Sequence, residues 1–293
     1  MALASMSEIY ERMAQTGRDF WEVVLADDME ERQVSREASM AKMLKIWQAM
    51  QDAADAYTGR KRSVSGLVGG DGMKMRQYTF RGSAMTGGYV SEVIAEALSM
   101  AESNACMRRI VAAPTAGACG VLPAVLLPLC KYDELTQHQL LEALYVAAGI
   151  GSVIAYKASI AGASGGCQAE IGTASAMAAG ALVALRGGDG AQIGHAVAMA
   201  LKNLMGLVCD PVAGLVEVPC VKRNVIGAVN AVSAADMALA GIESRIPVDE
   251  VIDAMGEVGR RMPVELRETA LGGLAATPTG RRLKEELTAR RRS

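Results

Sequence analysis

The sequence predicts a mainly α protein, a large helical bundle with Gly-rich active-site loops, on three observations. Apolar residues recur at spacings of three and four along most of the chain. Hydrophobic residues make up 51% of the 293 positions but aromatics only 4%, while glycine (31) and methionine (18) abound, so the core has to close by near approach of helix backbones with methionine filling gaps. No internal repeat or low-complexity segment interrupts the pattern. The length allows one large domain or two ordinary ones, and the composition divides it into amphipathic N-terminal helices over residues 1–60 and a main helical body over 61–293.

Residues 6–25 and 30–57 read as two amphipathic helices, the second with Met40, Met43, Leu44, Trp47 and Met50 on one face and Asp27-Asp28 supplying the break between them. Both are strongly charged, which predicts packing outside the main body or against a partner. Residues 63–72, SVSGLVGGDG, are glycine-rich and suit either a flexible connection or a loop that binds an anion through main-chain amides. Periodicity resumes over 87–105 and runs into ESNACMRR. A short apolar run at 110–113 fits a strand, and a helix starting within 116–120 would aim its first amides at whatever the PTAG turn surrounds, a place suited to a carboxylate.

Thr136 caps a helix over 136–149, and 150–161 continues as a second apolar helix with a lone Lys157. Residues 167–185 predict a small-residue helix buried nearly all round. Gly187-Gly188-Asp189-Gly190 is a turn, and helices follow over 192–207, 225–240 and 247–261, with Leu283 and Leu287 marking a short amphipathic helix in the tail.

Charge and cysteine content exclude several classes. A net charge of -2 gives no reason to expect nucleic acid or an anionic membrane surface. Residues 110–130 are uncharged and long enough to span a bilayer, but Pro114, Pro123, Pro128, Gly117 and Gly120 break the stretch, so a buried loop and helix are expected instead of a membrane span. Six cysteines without an apolar leader point to a reducing, cytoplasmic setting.

Three of these cysteines sit beside chain breakers: Cys167 after Gly165-Gly166, Cys209 before Asp210-Pro211, and Cys220 after Pro219. A thiol kept for packing belongs on the apolar face of a regular element, whereas a ligand has to point at a shared centre. The absence of any C-x-x-C pair excludes a zinc ribbon or a bacterial ferredoxin pattern. Cys119, in PTAGACG, stands from Cys130 as Cys209 stands from Cys220, so spacing alone leaves Cys119 a competitor and buried thiols an alternative; Cys106 and Cys130 read as core thiols. An all-sulfur set favours zinc or an iron-sulfur centre.

Taken in order, SVSGLVGGDGMK, PTAGACG, GASGGCQAEIG and CDPVAGLVEVPC resemble the alpha chain of the iron-sulfur-dependent L-serine dehydratases, over roughly residues 63–280. The resemblance implies that Cys167, Cys209 and Cys220 hold a 4Fe-4S cluster within a catalytic body at 61–293. It also implies L-serine as substrate, a beta subunit that completes the site, and an oligomer. Thr115, Ala116 and Gly117 are then the expected carboxylate contacts, with Asn104, Ser164, Gly165 and Gly166 lining the rest of the substrate site. For catalysis, Lys157 and Asp71 are the candidates, since His138 and His195 both fall inside helical patterns. Some single-chain relatives place a C-terminal cysteine on the cluster; this chain ends in TARRRS, which predicts water or substrate at the fourth position. Two other readings are a pyridoxal-phosphate dehydratase with Lys157 or Lys202 as Schiff base, and a non-catalytic subunit that carries a cluster or binds a partner.

Overall fold

The computed structural model describes residues 3–82 and 84–292. It is mainly α, and among the described residues the one β-type feature is an isolated parallel bridge between Cys209 and Arg267. The apolar run at 110–113 therefore forms no strand. In chain order the helices are α1 (Met6–Thr16), α2 (Phe20–Arg32), α3 (Arg36–Asp55), α4 (Asp71–Phe80), α5 (Gly87–Ala105), α6 (Val121–Tyr132), α7 (Gln137–Lys157), α8 (Gly162–Gly165), α9 (Thr173–Leu185), α10 (Gly190–Leu204), α11 (Cys220–Leu239), α12 (Val248–Arg261) and α13 (Pro278–Arg292).

The break near the N-terminus falls earlier than Asp27-Asp28. Gly17 ends α1 in the left-handed region (φ 65) with its amide on Met13 O, and Asp19 opens α2 through a capping box with Glu22. Asp27 and Asp28 lie inside α2 as contacts between helices: Asp27 pairs with Arg12, and Asp28 accepts from the Ser39 hydroxyl. These N-terminal helices do not stand outside the body. Phe20, Val23, Val24, Leu25, Trp47 and Met50 are buried in the same apolar cluster as α7 and α9, because the apolar stripe that makes them amphipathic needs a partner surface and α7 supplies one.

Helix α7 begins at Thr136, whose hydroxyl accepts from Gln139 N in a capping box, and runs unbroken to Lys157. Gly149 does not divide it. A Cβ there would lie 2.4 Å from Val24 Cγ2, so the missing side chain lets α2 seat against α7. Similarly, a Cβ on Gly180 of α9 would lie 2.2 Å from Ile150 Cδ1. Helix α7 is long and apolar enough to cross a membrane, yet most of it is buried in the bundle. Helices α5, α6, α7, α9, α10 and α11 pack around one another to form the core, and Met6, Met50 and Met100 fill it with no exposed surface to speak of.

The glycine-rich loop is ordered by internal groups. The amides of Gly70 and Asp71 donate to the Glu102 carboxylate at 3.0 and 2.8 Å, and Tyr57 donates its hydroxyl to the same group. Its amides thus do bind an anion, a carboxylate of α5. Helix α6 starts at Val121, later than 116–120, because residues 115–120 form turns closed by Ala118 N to Thr115 O and Cys119 N to Ala116 O.

Candidate metal centre

Cys167 precedes a π-helical turn, Gln168–Gly172, that leads into α9. Such turns are rare and favour functional positions. Buried Gln168 anchors this one, donating its side-chain amide to Met255 O at 3.0 Å and accepting from Gly206 N at 2.8 Å, while its backbone amide reaches Leu207 O. Cys167 is thereby held beside the chain that leads to Cys209.

Cys209 is fixed from both neighbours. Arg223 donates to Val208 O at 2.7 Å and pairs with Asp210 at 2.8 Å, so one guanidinium spans the residues before and after the thiol. Cys209 also exchanges backbone bonds with the segment after α12, its N–H to Leu266 O and its C=O from Glu268 N, both 2.8 Å. Asp210 accepts from Leu274 N at 2.7 Å, which ties that segment down further on.

Cys220 is the first residue of α11. One turn on, fully buried Asn224 donates to Cys220 O and to Gly117 O and accepts from Gly120 N at 2.9 Å, coupling the PTAG turn to the start of α11. On the other side, Asn104 at the end of α5 donates to Ala116 O at 3.0 Å.

The result is a cavity of about 190 Å³ lined by Cys167, Cys209 and Cys220 together with Thr115, Ala116, Gly117 and Glu170, with Val216 and Glu268 also on its wall. Ligand atoms of Cys167, Glu170 and Cys209 all lie within 4.8 Å of one another. All six cysteines are free thiols. Cys119, the competitor by spacing, is fully buried, points at Met100 O and is absent from the lining, and Cys130 bonds back to Leu126 O within α6.

The thiols of the group are shifted in opposite directions. The contact between the two sulfurs lowers the Cys167 pKa and raises that of Cys209, and Arg223 adds its positive charge on the Cys167 side. Burial pushes Cys220 up to about 12 and raises Glu170 above the usual carboxylate range. Thr115 donates its hydroxyl to Glu170 at 2.8 Å. Gly162 makes room: a Cβ there would sit 2.8 Å from Glu170 Oε2 and 3.1 Å from Cys209 Sγ. A Cys-Glu-Cys group with a third thiol on the same wall can bind a metal.

Other residues singled out in the sequence lie elsewhere. Lys157 pairs with Asp249 and Asp253 at 3.7 and 3.2 Å, and Asp71 pairs with Lys74 and Lys222, its carboxyl held below the usual range chiefly by Lys74; neither lines the cavity. Ser164 is exposed, while Gly165 and Gly166 are buried behind the cysteines, where a Cβ on Gly166 would meet Met262 and Leu207 O. His138 stacks edge-on against Trp21, and His195 accepts from Ser244 N. Lys202 donates to the Ser244 hydroxyl. Glu170, Asn224 and Arg223 are the residues that motif reading missed. Glu170 follows Cys167 by one helical turn, which was the available signal.

The profile of the family described as "Serine dehydratase alpha chain" matches residues 15–275. The probable L-serine dehydratase, alpha chain, of Bacillus subtilis (strain 168) is 48% identical over 266 residues, covering 91% of this chain and 89% of the relative. The L-serine dehydratase, alpha chain, of Peptoniphilus asaccharolyticus is 39% identical over 285 residues, covering 97% and 98%. L-serine dehydratase 2 of Escherichia coli (strain K12) is 49% identical over 181 residues, which are 61% of this chain but 40% of that protein. With the family profile spanning most of the sequence and relatives aligned nearly end to end, the chain belongs to the serine dehydratase alpha chain family.

Proposed function

We propose that this chain is the alpha subunit of an iron-sulfur L-serine dehydratase, a carbon-oxygen lyase that converts L-serine to pyruvate and ammonia in the cytoplasm together with a beta subunit. The observation behind the reading is the meeting of Cys167, Cys209 and Cys220, remote in sequence, on one cavity wall beside the PTAG turn. In this reading the three thiolates hold a 4Fe-4S cluster. When bound, such a cluster supplies an open iron, a Lewis acid that makes a β-hydroxyl a better leaving group.

The remaining work falls to the chain's own side chains. The substrate carboxylate is received by Thr115, Ala116 and Gly117, whose turn is shaped from behind by Asn104 and Asn224. Proton removal from Cα is assigned to Glu170, which lines the cavity and whose burial makes it more basic than a solvated carboxylate. Lys157 and Asp71 are bound up in ion pairs elsewhere and act on the fold. The aminoacrylate released by elimination tautomerises and hydrolyses to pyruvate and ammonia in water. The E. coli relative, of which this chain matches 40%, supports a role for a second polypeptide region in the complete enzyme.

The test is anaerobic mixing of the purified chain with its beta partner and a pyruvate assay with L-serine. Turnover that requires both chains is expected. Absence of turnover by the iron-loaded pair, or full turnover by a metal-free preparation, contradicts the proposal.

A further inference from the structure

Of the three sulfurs on the cavity wall, Cys220 stands outside the tight Cys167–Glu170–Cys209 group. Its position depends on the loop that returns from Cys209, in which Val216 is partly exposed and Ala213 and Gly214 take positive φ. Three residues before Cys220, Glu217 turns its carboxylate inward and is only 7% exposed. Among the described residues no basic side chain pairs with it. Its donors are two hydroxyls: Ser63 at 2.8 Å, and Ser65. A buried carboxylate without a cation is costly, and an apolar residue of similar size would fill the space more favourably, so the geometry calls for a reason beyond stability.

The two serines belong to the glycine-rich loop, and that loop is closed by hydrogen bonds of its own. Ser63 Oγ and Ser65 Oγ lie 3.0 Å apart around the same carboxylate oxygen, Leu67 N donates to Ser65 Oγ, and Ser63 N reaches Val68 O. Farther along, the amides of Gly70 and Asp71 fix the loop to Glu102 on α5. Val68 packs with Leu98 and Val221, and Asp71 pairs with Lys222, two residues after Cys220. The backbone of Glu217 takes part too, since its C=O accepts Val221 N at 3.0 Å and so opens the first turn of α11.

We infer that Glu217 is a positioning residue for Cys220: gripped by Ser63 and Ser65, it uses the glycine-rich loop as a brace between α5 and the start of α11 and keeps the third sulfur turned to the cavity. The inference rests on the reading of Cys220 as a ligand. It gives the SVSGLVGG segment a structural task at the site in place of direct contact with a substrate anion.

The experiment follows each cysteine separately in the full-length chain, stripped of metal under anaerobic conditions, by timed alkylation with iodoacetamide and mass spectrometry. Glu217→Ala, and separately Ser63→Ala combined with Ser65→Ala, should raise the Cys220 alkylation rate about tenfold or more while leaving Cys119 unchanged. Glu217→Gln keeps an oxygen acceptor for both hydroxyls and should restore a rate near that of the unsubstituted chain. After reconstitution with iron and sulfide, the first two variants should hold less iron than Glu217→Gln. An unchanged Cys220 rate in both disrupting variants overturns the inference, and so does equal acceleration of all six cysteines, which marks general loosening. Should Glu217→Ala not fold, the double serine variant decides. A chain that takes up no iron at all defeats the cluster reading, while the alkylation rates still judge the brace.

Discussion

Thr115 and Glu170, from the PTAG turn and the π-helical turn after Cys167, are joined by a 2.8 Å hydrogen bond across the cavity that three cysteines line. The hydroxyl favours the charged carboxylate, while burial opposes it. Thr115→Val removes the donor at constant volume and should push the Glu170 pKa farther up. The expected loss is about 1–3 kcal/mol of interaction, or roughly tenfold or more in kcat/KM for serine, with the acidic limb of the pH profile moved to higher pH. A profile that does not move places Glu170 outside the proton transfer.

Glu170→Gln keeps the shape and takes away the basicity. Turnover should fall by about two orders of magnitude or more, with iron content close to that of the unsubstituted chain. Loss of iron in parallel with activity would instead make Glu170 a ligand, as its place within 4.8 Å of both sulfurs also allows.

Metal uptake should depend steeply on pH. The contact with Cys167 raises the Cys209 pKa, and burial pushes that of Cys220 up to about 12. Thiol protons have to leave before three thiolates can ligate, so uptake releases protons and is favoured as pH rises, by about tenfold per pH unit for each proton released. Anaerobic Co(II) titrations at several pH values, read from thiolate-to-metal absorption, measure this slope. A flat response would mean that the thiols are not the ligands.

Gly162→Ala places a methyl group between Glu170 and Cys209, within 2.8 and 3.1 Å of their ligand atoms. Reduced metal loading at nearly unchanged thermal stability is expected, as seen by iron analysis beside a melting curve. Gly149→Ala should do the reverse. Its Cβ would press on Val24 and push α2 from α7, lowering stability by about 1–3 kcal/mol without altering metal content.

These residues also show how far the sequence could be read. Cys167, Cys209 and Cys220 stood out because each adjoins a chain breaker, and the fold does place them at a π-turn, a loop and a helix start. Thr136 was legible as a cap, since capping is local chemistry, whereas Asp189, read only as part of a turn, proves to cap α10. What depended on distant partners was not legible. Gly149 looked like a helix end until Val24 was seen to need the space. The amides of the glycine-rich loop looked available until Glu102 was found on them. Asn224 and Arg223 resemble ordinary helix residues in the sequence, and their roles arise only where α11 meets the PTAG turn and the Cys209 loop.

The central claim is that Cys167, Cys209 and Cys220 together hold the metal centre. Iron and acid-labile sulfide should therefore be counted per chain in anaerobically reconstituted protein, alongside single Cys→Ser variants at 119, 167, 209 and 220. The account predicts about four of each in the unsubstituted chain, retained on substitution of Cys119 and lost on substitution of any of the other three. Iron that persists without Cys167, Cys209 or Cys220, or that disappears with Cys119 alone, contradicts it.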